Sequence, residues 1–174
     1  MPFPRHQLDI IICPNQCDFP FPTTDFTELL EIWQTEGLLG RDHVCNPQRP
    51  NDLIEGGFGR VYIDQPHSQR FYANHQGGYA VKCPNTQGNL VPNFIIKMQE
   101  WRQSQDRSVQ YFSINCELCQ QSHPLQTLNF QPQAVFAMGA LVFQNVESVI
   151  LQPRAQQQIA KILPDYQTVL KRVG

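Results

Sequence analysis

The sequence predicts an α+β fold: a two-layer sandwich with a ferredoxin-like β-α-β … β-α-β outer order and an inserted zinc-ribbon-like module. Three observations carry this. A β-branched run near the N-terminus leads into an amphipathic helical stretch. The C-terminal part again reads strand, helix, strand. Between them, a Cys-x-x-Cys turn and a similar upstream half-turn each follow a strand-like segment. Strand order cannot be read from these signals, so other two-layer α+β folds remain open.

The elements follow in order. Gln7–Cys13 is rich in β-branched residues and stops before Pro14, as a strand does. Pro14 to Pro22 is a proline-rich loop. Asp25 is placed to cap a helix, with Glu28 completing a capping box. Phe26, Leu29, Leu30 and Trp33 form one apolar face, and Gly37 ends the helix. Arg41 to Asn51 is polar loop. Phe58–Asp64 reads as a strand. Phe71–Ala73 and Tyr79–Lys82 read as short strands around the turn Asn74 to Gly78. Pro92–Gln103 is a helix opened by proline, with Phe94, Ile95, Met98 and Trp101 on one face. Val109–Ile114 alternates like a strand. Val135–Val146 is a strand or strand pair with a flexible Gly139. Pro153–Leu163 is a helix, and Tyr166–Val173 a final strand. The chain reads as one domain over 1–174, with the ribbon-like insertion at 79–125.

Composition narrows the function. Charged residues make up only 16%, and the polar remainder is rich in glutamine, with 23 in the chain. Hydrophobic residues at 41% suffice for a core, which argues against disorder. A net charge of −2 disfavours a strongly electrostatic nucleic-acid or anionic-membrane binder. No apolar stretch reaches the length of a membrane span, and no secretion signal opens the chain. The reading is a cytoplasmic protein with reduced thiols.

The six cysteines are Cys13, Cys17, Cys45, Cys83, Cys116 and Cys119. Two residues between Cys116 and Cys119 let both sulfurs of one turn reach a tetrahedral zinc. Upstream, Cys83-Pro84-Asn85-Thr86 has the shape of a second knuckle with Thr86 in place of its second cysteine. Threonine is not a usual zinc ligand, so Cys83, Cys116 and Cys119 leave one position open. His123 is placed to fill it, with Cys45 and His75 as alternatives if loops fold back. The competing reading is a ribbon that has lost its metal and kept its shape. A redox role needs the Cys-x-x-Cys at a helix start, and Pro124 follows too closely. Cys13 and Cys17, with His43 and Cys45, suggest a second metal site only weakly; small buried thiols are the plainer reading.

Cys83-Pro84, Cys116–Cys119 and the segment Ala134-Val135-Phe136 through Val142-Phe143-Gln144-Asn145 resemble an uncharacterised group of bacterial proteins with a degenerate zinc-ribbon module in an α+β domain. The resemblance covers Tyr79 to the C-terminus and implies no activity.

Other chemistry is poorly supported. Glu55-Gly56-Gly57-Phe58-Gly59-Arg60 precedes a strand, whereas a phosphate cradle follows one and opens a helix. The histidines His6, His43, His67, His75 and His123 form no zinc-hydrolase pair, and no nucleophile elbow exists. Lys97, Arg102 and Arg107 suggest a small basic patch, offset by Glu100 and Asp106. The expectation is a non-enzymatic module that binds another protein through the ribbon tip and adjoining loops. A nucleic-acid-associated ribbon is the first alternative, and a thiol- or metal-dependent enzyme the second.

Overall fold

The computed structural model describes residues 7–105 and 107–173. His6 and Asp106, both weighed above, lie outside them. Among these residues the fold is mixed α+β, with three α-helices and several small antiparallel sheets.

Strand β1 (Gln7–Cys13) leads into helix α1 (Thr23–Thr35) and strand β2 (Val61–Asp64). Strands β3 (Arg70–Tyr72) and β4 (Ala80–Lys82) precede helix α2 (Val91–Arg102). Strands β5 (Ser113–Asn115), β6 (Ser122–Pro124), β7 (Asn129–Gln131) and β8 (Val135–Ala137) follow. The chain ends with β9 (Ala140–Phe143), helix α3 (Pro153–Ile162) and β10 (Gln167–Val173).

The main sheet has four strands in the order β10-β1-β9-β2, each pair antiparallel. Its two faces follow the period-two alternation of β1. Ile10 and Ile12 join Leu141, Phe143 and Val61 in a core packed against α1 and α3. Ile11 and Cys13 point the other way, with Val142 and Val169, against Tyr72 and Val135 of the β3-β8 ribbon. Trp33 is fully buried between sheet and helices, and its indole N–H donates to Gln158 Oε1 on α3 at 2.7 Å. That bond removes the cost of a buried unpaired donor.

Residues between β2 and β9 build a second core. Phe71 is its centre: its ring lies 4.6–5.7 Å from those of Phe136, Phe130, Phe94, Tyr79 and His75. Phe94 and Met98 of α2, Val109, Ile114 and Leu125 complete it. This core draws on residues from Phe71 to Phe136, and on Cys17, a wider span than 79–125.

Several expectations need correction. Helix α1 starts at Thr23, because the Phe26 N–H already bonds the Pro22 carbonyl. Asp25 therefore caps nothing; its carboxylate sits in the first turn, where the helix dipole favours it. Ile95 does not share the apolar face of α2 and is 53% exposed. Val109–Ile114 is not one strand. Gln69 Oε1 takes the Val109 N–H, and a 3-10 turn follows before β5. Gly139 is needed for close approach rather than flexibility: a Cβ there would stand 2.7 Å from Phe21 Cγ and 2.9 Å from the Asp64 carbonyl. Gly56 and Gly57 adopt φ of +80° and +87° in a turn that leads into β2 without a helix.

Candidate metal centre

Two turns with one backbone design face each other in the second core. In the first, Cys83 follows β4; its N–H bonds the Gly88 carbonyl, and its carbonyl accepts from the Gln87 N–H. In the second, Cys116 follows β5; its N–H bonds the Gln121 carbonyl, and its carbonyl accepts from the Gln120 N–H. Gln87 and Gln120 both sit in the left-handed region, at φ +61° and +59°. Each turn is closed by a backbone pair, Lys82 with Asn89 and Asn115 with Ser122. Thr86 thus holds the position in the first turn that Cys119 holds in the second. The side chains of Asn85 and Gln121 join the two turns by a 2.9 Å hydrogen bond.

This arrangement brings the thiols together. Cys83 Sγ lies 3.7 Å from Cys119 Sγ. His123, on β6, adds its Nε2 at 3.4 Å from Cys83 and 3.3 Å from Cys119. The three groups converge closely enough to hold a metal ion. Cys83 and His123 are buried, while Cys119 is partly exposed. Cys116, the remaining predicted ligand, is buried with its Sγ 3.8 Å from Thr86 Oγ1, and it stands outside the convergent trio of Cys83, Cys119 and His123. All six cysteines are free thiols.

The electrostatics suit a ligand set. Burial pushes the Cys83 thiol up, but bonds from the Thr86 hydroxyl, the Thr86 and Asn85 N–H groups and Cys116 outweigh it and bring the thiol down to about 6. The Cys119 thiol is raised, first by burial and then by its bonds to Cys83 and Cys116. One thiolate in the cluster is therefore favoured and discourages the next. A cation replacing the protons relieves that conflict.

The other expected ligands lie elsewhere. His75 is engaged edge-on with Phe71 and Tyr79. Cys45 packs beside Gly57 near the main sheet, with its thiol toward the Asn46 carbonyl. Cys13 and Cys17 belong to different apolar clusters. Among the described residues, Cys83, Cys119 and His123 form the one group of this kind. The matched glutamines at the left-handed positions were legible in principle, since each stands four residues after the leading cysteine.

No protein-family model matches the chain, and no curated protein or solved structure matches it significantly.

Proposed function

We propose that the chain is a non-enzymatic binding module whose ribbon-like insertion is held by a structural zinc ion. Cys83, Cys116, Cys119 and His123 are its ligands. One observation carries this reading: the mutual distances of 3.3–3.7 Å among Cys83, Cys119 and His123. Zn–S bonds of about 2.3 Å and Zn–N bonds of about 2.0–2.1 Å put tetrahedral ligands about 3.8 Å (S···S) and about 3.5 Å (S···N) apart. The paired knuckles support a zinc-ribbon-like identity for the insertion. The order β10-β1-β9-β2, built from two strand-helix-strand units, supports a ferredoxin-like sandwich around it.

The partner we assign is another protein. Leu118, at the tip of the second knuckle, is 75% exposed, and an apolar side chain held on a rigid turn suits a protein contact. The low charge of the chain disfavours nucleic acid.

Metal analysis of untagged, desalted protein tests the site. The expected result is about one zinc per chain, with three thiols protected until chelator is added. Metal-free protein with freely reactive thiols at 83, 116 and 119 would overturn it. Binding to nucleic acid that weakens steeply with salt would replace the protein partner by the nucleic-acid alternative.

A further inference from the structure

A cleft of about 600 Å³ opens where the second core meets the end of β2. Its volume falls within the range of about 300–1,000 Å³ found for small-molecule sites. The cleft lies apart from the cysteine cluster, and the proposed zinc role does not use it.

Its walls are fixed. The Gln69 side chain donates to the Cys17 carbonyl at 2.9 Å and to Ser108 Oγ at 3.1 Å, and accepts the Val109 N–H at 2.7 Å. The loop from Gln65 to Arg70 is thereby tied to Cys17 and to the Ser108–Val109 backbone just beyond the cleft. Trp101 donates its indole N–H to the Arg107 carbonyl at 3.0 Å, and its ring packs edge-on against Phe136. An aromatic surface thus lines the cleft in a set orientation.

Among the described residues its lining holds more cationic than acidic groups. Arg102, Arg107, Arg70 and His67 line it, and Asp64 is the one carboxylate among the described lining residues. That carboxylate is committed: Tyr72 donates to it at 2.7 Å and Arg70 at 3.0 Å. The guanidinium of Arg107 lies over the Tyr111 and Phe112 rings, at 5.6 and 5.5 Å. Arg102 has no ion-pair partner among the described residues.

A planar guanidinium donates to two oxygens of a phosphate bidentately, and an indole face receives a planar ring. We propose that this cleft binds a small aryl or nucleoside phosphate, its dianion met by Arg102 and Arg107 and its ring laid against Trp101. A base with a phosphate also occurs along single-stranded nucleic acid, so the test separates the two sources.

The probes are AMP, adenosine, inorganic phosphate and a short oligoadenylate, titrated into the full chain by calorimetry and tryptophan emission. Trp33 is sealed in the main core, so a change in emission reports Trp101. The expected result is saturable AMP binding, with adenosine and phosphate each at least about tenfold weaker. Arg102→Gln should weaken AMP by about tenfold or more with metal content and circular dichroism unchanged. Arg107→Gln should weaken it further, although it also removes packing on Tyr111. Absence of saturable AMP binding, or undiminished binding by the folded Arg102→Gln variant, overturns the proposal. An oligoadenylate that binds far more tightly than AMP, with a steep salt dependence, overturns the small-ligand assignment in favour of single-stranded nucleic acid.

Discussion

Thr86 stands in the first knuckle where Cys119 stands in the second, and its hydroxyl lies 3.8 Å from the Cys116 thiol. The two turns therefore share one backbone design, although only the second carries two thiols. His123 approaches from β6, outside either knuckle, with its ring nitrogen against Cys83 and Cys119. In the proposed zinc site the imidazole supplies the donor that threonine cannot.

Replacing Thr86 by cysteine should complete the four-thiol set. With cobalt in the site, the thiolate charge-transfer band should grow by about a third as three sulfur ligands become four. The same variant should tolerate His123→Ala, which the parent chain should not. An unchanged cobalt spectrum would show that position 86 does not face the metal.

Removing a ligand should act on metal and fold together. Cys119→Ser and His123→Ala should each weaken zinc binding by at least about 100-fold, more than the loss of an outer-shell partner. Both should lower the melting temperature of metal-loaded protein, with no effect beyond that of chelator alone. Competition with a zinc dye, followed by thermal melts with and without chelator, reads both quantities.

Gly139→Ala should destabilise the fold by about 1–3 kcal/mol, the usual cost of forcing an atom into a filled space. The added methyl would meet the Phe21 ring and the Asp64 carbonyl. The loss should appear in urea unfolding as a lower midpoint at unchanged slope. An effect below about 0.5 kcal/mol would mean that Phe21 yields easily.

Stability should fall in alkaline solution. Burial first, then the nearby Asp64 charge, raises the Cys13 thiol far above its ordinary value of 9.0. Burial and the bond to Asp64 likewise raise Tyr72 above 10.0. A raised native value favours the protonated, folded form. Its contribution is intact below the unfolded value and is lost as pH climbs toward the folded one. Unfolding free energy should drop by up to about 1.4 kcal/mol per pH unit for each such group once pH passes its ordinary value. Cys13→Ala should flatten the slope from about pH 9 upward, leaving the Tyr72 component above pH 10. An unaltered slope would place the ionising group elsewhere.

The sequence was most legible where periodicity was strong. Ile10, Ile11 and Ile12 announce β1, and the Phe26–Trp33 spacing announces α1, because burial on one face selects those patterns. Ser122–Pro124 and Asn129–Gln131 carried no such signal. They are strands because Ile114 and Val81 pair with them, a tertiary cause invisible in a local window. The cysteine spacing pointed to Cys83, Cys116 and Cys119, since knuckle geometry is local, and the fold brings Cys83 and Cys119 together with His123. The choice among His123, Cys45 and His75 depended on where distant loops packed. The arginine-lined cleft was hidden for the same reason: its walls come from residues 64–71 and from Trp101, Arg102 and Arg107, which only the fold brings together.

The position of β1 has a consequence for synthesis on the ribosome. Its hydrogen-bonding partners are β9 and β10, the last two strands to be translated. The segment from Phe71 to Phe136, with its cysteine cluster, emerges complete while Ile10–Cys13 still waits unpaired. β1 can therefore take its place in the sheet only after the whole intervening segment has been made.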